Sequence, residues 1–234
     1  MQAVILAGGK GTRLKPYTTV FPKPLMPVGD QPILEVVIRQ LKHHGFTRIV
    51  MAVGHLKELI QAFFQDGEPW GVEIQYSFED HPLGTAGPLK LIQNLEDRFL
   101  VMNGDILTSL DFRRFFEGHA KSGAICTIAT HRKPVKIDLG VLETEDSNRV
   151  IHYTEKPVLH YNVSMGVYAF DKRVIDFIPD NAYFDFPNLI LRLLSNRQTV
   201  LSHPFDGLWL DIGHPDDYEE AVRTFEENRS EFLE

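Results

Sequence analysis

Short apolar runs that end at glycine alternate with stretches of helical spacing along the first half of the chain. Ala3-Val4-Ile5-Leu6-Ala7 stops at Gly8-Gly9, which predicts a strand buried on both faces. Pro32 to Leu41 places apolar residues at helical spacing, with proline near the first turn and Gly45 just beyond the end, and so predicts a helix. Arg48 to Val53 reads as a strand, His55 to Phe64 as a helix, and Val72 to Ser77 alternates as a strand. A glycine-rich stretch, Leu83-Gly84-Thr85-Ala86-Gly87, then leads to a helix expected near Pro88. Phe99 to Met102 is a further strand running into Asn103-Gly104-Asp105, and Asp111 is the expected N-cap of the helix that follows. Strands alternating with helices imply right-handed βαβ units: an α/β, Rossmann-like, mixed and mostly parallel sheet flanked by helices. In such sheets ligands gather at the carboxyl ends of the strands, so the residues that follow strands are the ones to watch.

From residue 124 the pattern changes. Leu139 to Glu143 and Arg149 to Tyr153 flank Asp146-Ser147-Asn148, which predicts an antiparallel hairpin and a smaller second lobe. Residues 172 to 195 read as two helices around Pro179, and Asp216 and Asp217 suit the N-terminus of a last helix. The expectation is one domain over 1–234, in halves of about 1–123 and 124–234.

Composition narrows the class. With 43% hydrophobic residues in 234, the chain is able to bury the core of one substantial domain. A single cysteine, Cys126, excludes an intrachain disulfide and lies in an apolar run as a structural residue. There is no basic-then-apolar leader pattern and no apolar stretch of about 20 residues, so no membrane partner is expected and the protein reads as cytoplasmic. A net charge of −8 without a basic stripe argues against a nucleic-acid partner. The histidines show no zinc spacing, and a homo-oligomer is left open.

Against that acidic background the first thirty residues stand apart. Lys10, Arg13, Lys15 and Lys23 precede Asp30, and no acid lies before it. Three glycines, Gly8, Gly9 and Gly11, let backbone N–H groups approach an anion, so a small polyphosphate is the expected guest. The P-loop spacing is absent, and the dinucleotide fingerprint fails because Leu14 stands in its third glycine place. Leu6-Ala7-Gly8-Gly9-Lys10-Gly11-Thr12-Arg13-Leu14 followed by Pro22-Lys23-Pro24-Leu25 instead resembles the sugar-nucleotide pyrophosphorylases. These nucleotidyltransferases, of the GT-A-like fold, make an NDP-sugar from an NTP and a sugar 1-phosphate.

The resemblance runs through the chain and implies roles by position. Leu6, Ala7, Gly8, Gly9, Gly11 and Thr12, with Gly84 and Thr85, would hold the nucleotide. Arg13 and Lys23 would act on the phosphates as the catalytic cations, and Asp105 and Asp211 would hold Mg2+. Glu155-Lys156-Pro157, Asn162, Gly140 and Asn103 match the sugar-phosphate half-site. Leu83 to Gly87 is similar to the loop of mannose 1-phosphate guanylyltransferases, which implies GTP and a mannose- or manno-heptose-like 1-phosphate. Glu79 supports guanine on chemical grounds, because a carboxylate accepts from both N1–H and the exocyclic amine, whereas a pyrimidine edge suits an amide. A thymidylyl- or uridylyltransferase acting on glucose 1-phosphate is the alternative, and a non-catalytic NDP-sugar-binding subunit is a third reading. Many relatives continue into a left-handed β-helix, and no hexapeptide repeat occurs here.

Overall fold

The structure is a computed structural model that describes residues 1–233. Its elements are β1 (Gln2–Ala7), the two-residue strands β2 (Pro27–Val28) and β3 (Gln31–Pro32), α1 (Ile33–His43), β4 (Arg48–Val53), α2 (Lys57–Phe64), β5 (Glu73–Phe78), β6 (Arg98–Asn103), β7 (Ile106–Thr108), α3 (Phe112–Ser122) and β8 (Cys126–Lys136). The hairpin β9 (Val141–Thr144) and β10 (Val150–Thr154) follows, then β11 (Val158–Asp171), α4 (Phe186–Ser195), β12 (Val200–Pro204), β13 (Trp209–Asp211), α5 (Pro215–Glu227) and α6 (Arg229–Leu233).

A seven-stranded sheet in the order β12-β8-β11-β6-β1-β4-β5 carries the fold. Only β11 runs against the rest, since it pairs antiparallel with both β6 and β8 while the remaining pairings are parallel. The period of two in β1 explains why the sheet is central: Ala3, Ile5 and Ala7 enter the core shared with α1, α2 and α3, while Val4 enters the opposite core with α4. In β6 the same division sends Leu100 and Met102 one way and Phe99 and Val101 the other. A third cluster packs Phe225 and Phe232 of α5 and α6 against Leu14, Met26, Val28 and Ile212. It ties the cationic loop to the carboxyl-terminal segment.

Beyond the sheet, β8 and β11 extend outward as a ribbon that joins the β9–β10 hairpin, which is the expected antiparallel lobe. Asp111 caps α3 by accepting from the Arg114 N–H at 2.8 Å, and Asp217 reaches back to the His214 N–H at 2.7 Å in a capping box on α5. Four expectations need correction. The second helix begins at Lys57, because Leu56 takes a left-handed conformation at φ 53° and cannot extend it. Near Pro88 there is only a 3-10 turn over Gly87–Leu91, since the preceding loop is pulled away to residues 182–186. The first of the two helices around Pro179 is likewise 3-10, Lys172–Phe177, and the chain adds strand β12 and helix α6. Among the described residues no helix is long and apolar enough to cross a membrane.

Buried histidines give the fold an acid limit. His119 on α3 sits with Nδ1 2.9 Å from the Thr127 hydroxyl and Nε2 unpartnered, and burial lowers its pKa, as it does for His44 and His203. A histidine whose folded pKa lies below its ordinary 6.5 costs nothing above that pH and destabilises the fold progressively as pH falls below it. The melting temperature should therefore drop from pH 7 to pH 5, with a shallower slope in His119→Gln. Calorimetric scans across that range check it, and superimposable slopes would remove His119 from the acid response.

Candidate active site

The carboxyl ends of the parallel strands converge on one cavity of about 720 Å3. Strand β1 ends in Ala7 and releases Gly8 to Gly11, with the Gly8 carbonyl accepting from His55 N–H at 3.3 Å and the Leu6 carbonyl from Gly104 N–H at 2.9 Å. Gly11 lies at φ 57°, and a Cβ there would stand 2.9 Å from Thr18 Cγ2, so the turn requires glycine twice over. The turn is locked by Thr18, whose hydroxyl donates to the Gly11 carbonyl at 2.7 Å, and by Leu14, which is buried in the third cluster. These contacts leave Arg13 facing the cavity.

Every residue that the sequence assigns to the nucleotide lines this cavity, together with Arg13, Lys23, Asn103 and Asp105. Lys23 is 9% exposed, and its ammonium bonds the Asp105 carboxylate. Glu79 folds back rather than pointing to solvent. One carboxylate oxygen accepts from the Leu83 N–H at 3.0 Å, and the other lies so near Gly8 and Gly54 that a Cβ on them would come within 2.9 and 2.7 Å.

Asp211 does not line the cavity but stands at its edge on β13, which pairs with β7 so that Asp211 faces Ile106, the residue after Asp105. Although Asp211 is exposed, the surrounding protein raises its pKa, first by desolvation and then by the Asp105 charge. Lys23 and Arg13 oppose that shift. Asp105, in the turn between β6 and β7, and Asp211 on β13 are neighbouring hard oxygen donors. Among the described residues no cluster of three or more His, Cys, Asp or Glu is present, and a two-carboxylate set is compatible with Mg2+, which is commonly held by one or two carboxylates with its remaining ligands from phosphate and water.

The residues that the resemblance assigns to the sugar phosphate are less gathered. Gly140, Glu155, Lys156 and Asn162 lie on the outer ribbon and do not line the cavity. Tyr153 packs against Gly140 and donates to Glu155 at 2.6 Å, while Lys156 occupies a left-handed turn at φ 45°. Asn103 is the link between the halves, since its amide lies against Gly166 in the irregular stretch of β11 where pairing with β8 shifts register.

Tyr183 and Asp185 also line the cavity, as do Gly54 and His55, and the sequence reading assigned none of these four to the site. Tyr183-Phe184-Asp185-Phe186 does alternate polar and apolar positions, and Phe184 and Phe186 are both buried. That alternation was the available signal for an extended stretch with one face turned to a site.

A nucleotidyl transferase family model matches residues 2–228. The UTP–glucose-1-phosphate uridylyltransferase of Synechocystis is 37% identical over 95% of this chain and 63% of its own length. The mannose-1-phosphate guanyltransferase of Candida albicans is 33% identical over 93% of this chain and 62% of its own. The chain thus spans less than two thirds of these curated relatives. Among solved structures, HddC from Yersinia pseudotuberculosis in complex with GMP-PN superposes with a TM-score of 0.72 at 26% identity, covering 96% of this chain and 99% of that one.

Proposed function

The chain belongs to the nucleotidyl transferase family, and we propose that it joins an NTP to a sugar 1-phosphate, giving an NDP-sugar and pyrophosphate. The observation that carries this reading is the cavity where the cationic glycine loop, Lys23 and Asp105 meet at the strand ends. In the proposed reaction a sugar 1-phosphate oxygen attacks the α-phosphorus in line, the bond to the β-phosphate oxygen breaks, and pyrophosphate carries away the charge. Two anions must approach one another, so fixed cations serve better than a covalent nucleophile. Arg13 holds the charge of the departing pyrophosphate. Lys23 holds the phosphates at the reacting centre, and the resemblance gives the attacking phosphate to Lys156, which lies on the outer ribbon. Mg2+ on Asp105 and Asp211 would supply Lewis-acid polarisation of the phosphoryl oxygens.

The base proposed is guanine, with a manno-configured sugar 1-phosphate. Supporting it are Glu79 in the cavity wall, a carboxylate that rejects a pyrimidine carbonyl, and the resemblance of Leu83 to Gly87 to guanylyltransferase loops. The second reading, uridylyl transfer to glucose 1-phosphate, is favoured by the 37% identity to the Synechocystis relative. A pyrophosphate-release screen of four NTPs against mannose, manno-heptose and glucose 1-phosphates separates them. Under the guanine reading kcat/KM for GTP exceeds that for UTP, and Glu79→Gln narrows the ratio by about 10-fold or more. A wild-type preference for UTP, or an unchanged ratio in the variant, gives the site to the second reading.

A further inference from the structure

The loop that the proposed function gives to the base has one local tie, from the Leu83 N–H to Glu79, and its other fastenings come from residues 182–186, about a hundred positions downstream. Ala86 and Gly87 both donate their N–H to the Phe184 carbonyl at 2.9 Å, and Phe184 N–H donates to the Leu83 carbonyl at 2.8 Å. Asp185 Oδ1 accepts from the Thr85 N–H at 2.9 Å and from its hydroxyl at 3.0 Å, and the Thr85 hydroxyl oxygen in turn accepts from the Phe186 N–H at 2.9 Å. Gly84 sits so close beneath this segment that a Cβ would come within 2.7 Å of the Phe184 carbonyl and 2.8 Å of Asp185 Oδ1.

Asp185 occupies the N-cap of α4, where an aspartate ordinarily accepts from the second or third N–H of its own helix. It makes no such bond. The helix's first N–H is taken by Thr85 instead, so the loop caps the helix while the helix's aspartate caps the loop. Phe184 and Phe186 anchor the exchange in the core, and Tyr183 and Asp185 face the cavity.

We infer that Asp185 is the positioning residue of the nucleotide pocket: through Thr85 it presets the loop from Leu83 to Gly87 in the shape that receives the base, and Tyr183 forms the outer wall. The inference rests on the nucleotidyl-transfer reading for the identity of the ligand. Fixing the loop before binding removes an ordering cost from NTP association and leaves the sugar half-site untouched.

Calorimetric titration of the wild type, Asp185→Ala, Asp185→Asn, Thr85→Val and the Asp185→Ala/Thr85→Val pair with GTP, UTP and mannose 1-phosphate tests it. Hydrogen bonds to a charged acceptor predict that Asp185→Ala weakens binding of the preferred NTP by about 10- to 100-fold. Asp185→Asn, which keeps an acceptor oxygen, should stay within about 3-fold, with sugar 1-phosphate binding unchanged throughout. The double variant should lose little more than Asp185→Ala, because both substitutions break one linkage. Wild-type NTP affinity in folded Asp185→Ala, equal weakening of both substrates, or an Asn variant as poor as the Ala variant would overturn the inference. Should Asp185→Ala not fold, Thr85→Val decides, and unchanged NTP binding there has the same force. A wild type that binds neither NTP defeats the functional reading instead, and the inference with it.

Discussion

Asp211→Asn should lower kcat by about 100- to 1,000-fold while leaving the melting temperature at pH 7 equal to or above that of the wild type, with Asp105→Asn matching it in activity. The activity loss follows from placement. The pairing of β13 with β7 sets Asp211 opposite Ile106, and Asp105 ends the stretch that leaves β6, so the two carboxylates adjoin beside Lys23 and Arg13. The stability gain follows from the sign of the pKa shift. Desolvation and the Asp105 charge hold the Asp211 carboxyl above its ordinary 3.8. A carboxyl with a raised folded pKa favours the fold below 3.8, and that contribution disappears as pH rises through the raised value. At pH 7 the ionised group is therefore a burden in the ligand-free protein, which asparagine relieves. Initial rates, thermal scans and Mn2+ titration by paramagnetic resonance measure the three consequences, the last expected to show weakened ion binding. Near-normal magnesium-dependent turnover, or a clear fall in melting temperature, would remove Asp211 from this role.

Lys23→Met should lose activity on the same scale but respond oppositely in stability. Lys23 is almost fully buried within the 3-10 turn Lys23–Leu25 and its ammonium bonds the Asp105 carboxylate. Removing one partner of such a pair leaves the other partly buried and uncompensated, at a cost of about 1–3 kcal/mol. Adding Asp105→Asn to Lys23→Met should restore part of that loss, because the neutral amide no longer needs a cation, and a double-mutant cycle in urea reads the coupling. Additive stabilities would mean that the contact contributes nothing to the fold. In turnover the two single variants should not compensate, since each removes a group that the proposed reaction uses. Restored activity in the double variant would show that Lys23 acts only on Asp105 and never on phosphate.

Much of this site was legible from the chain alone because its parts are local. An apolar run ending in Gly8-Gly9 predicts a strand that releases a loop at its carboxyl end, and that holds for β1, with Gly11 in the left-handed conformation that the turn needs. The same logic placed Asp105 after β6 and Asp111 at the N-cap of α3, since a strand end and a helix cap each depend on a few neighbouring residues. The helix expected near Pro88 failed for the complementary reason. Its backbone donors were drawn to Phe184, a partner that no local pattern identifies.

The sequence by itself determined an alternating α/β chain, a cationic glycine loop opening it, and acids waiting at strand ends, because hydrophobic period, glycine and charge act over a turn or two. Tertiary structure decided the partnerships. It put Lys23 on Asp105, stood Asp211 beside that pair through an antiparallel ribbon, and fastened Thr85 to Asp185. Contacts between residues 80 or 100 positions apart come from which faces the sheet buries and in which register its strands pair, and pairing register is a property of two segments that neither contains alone.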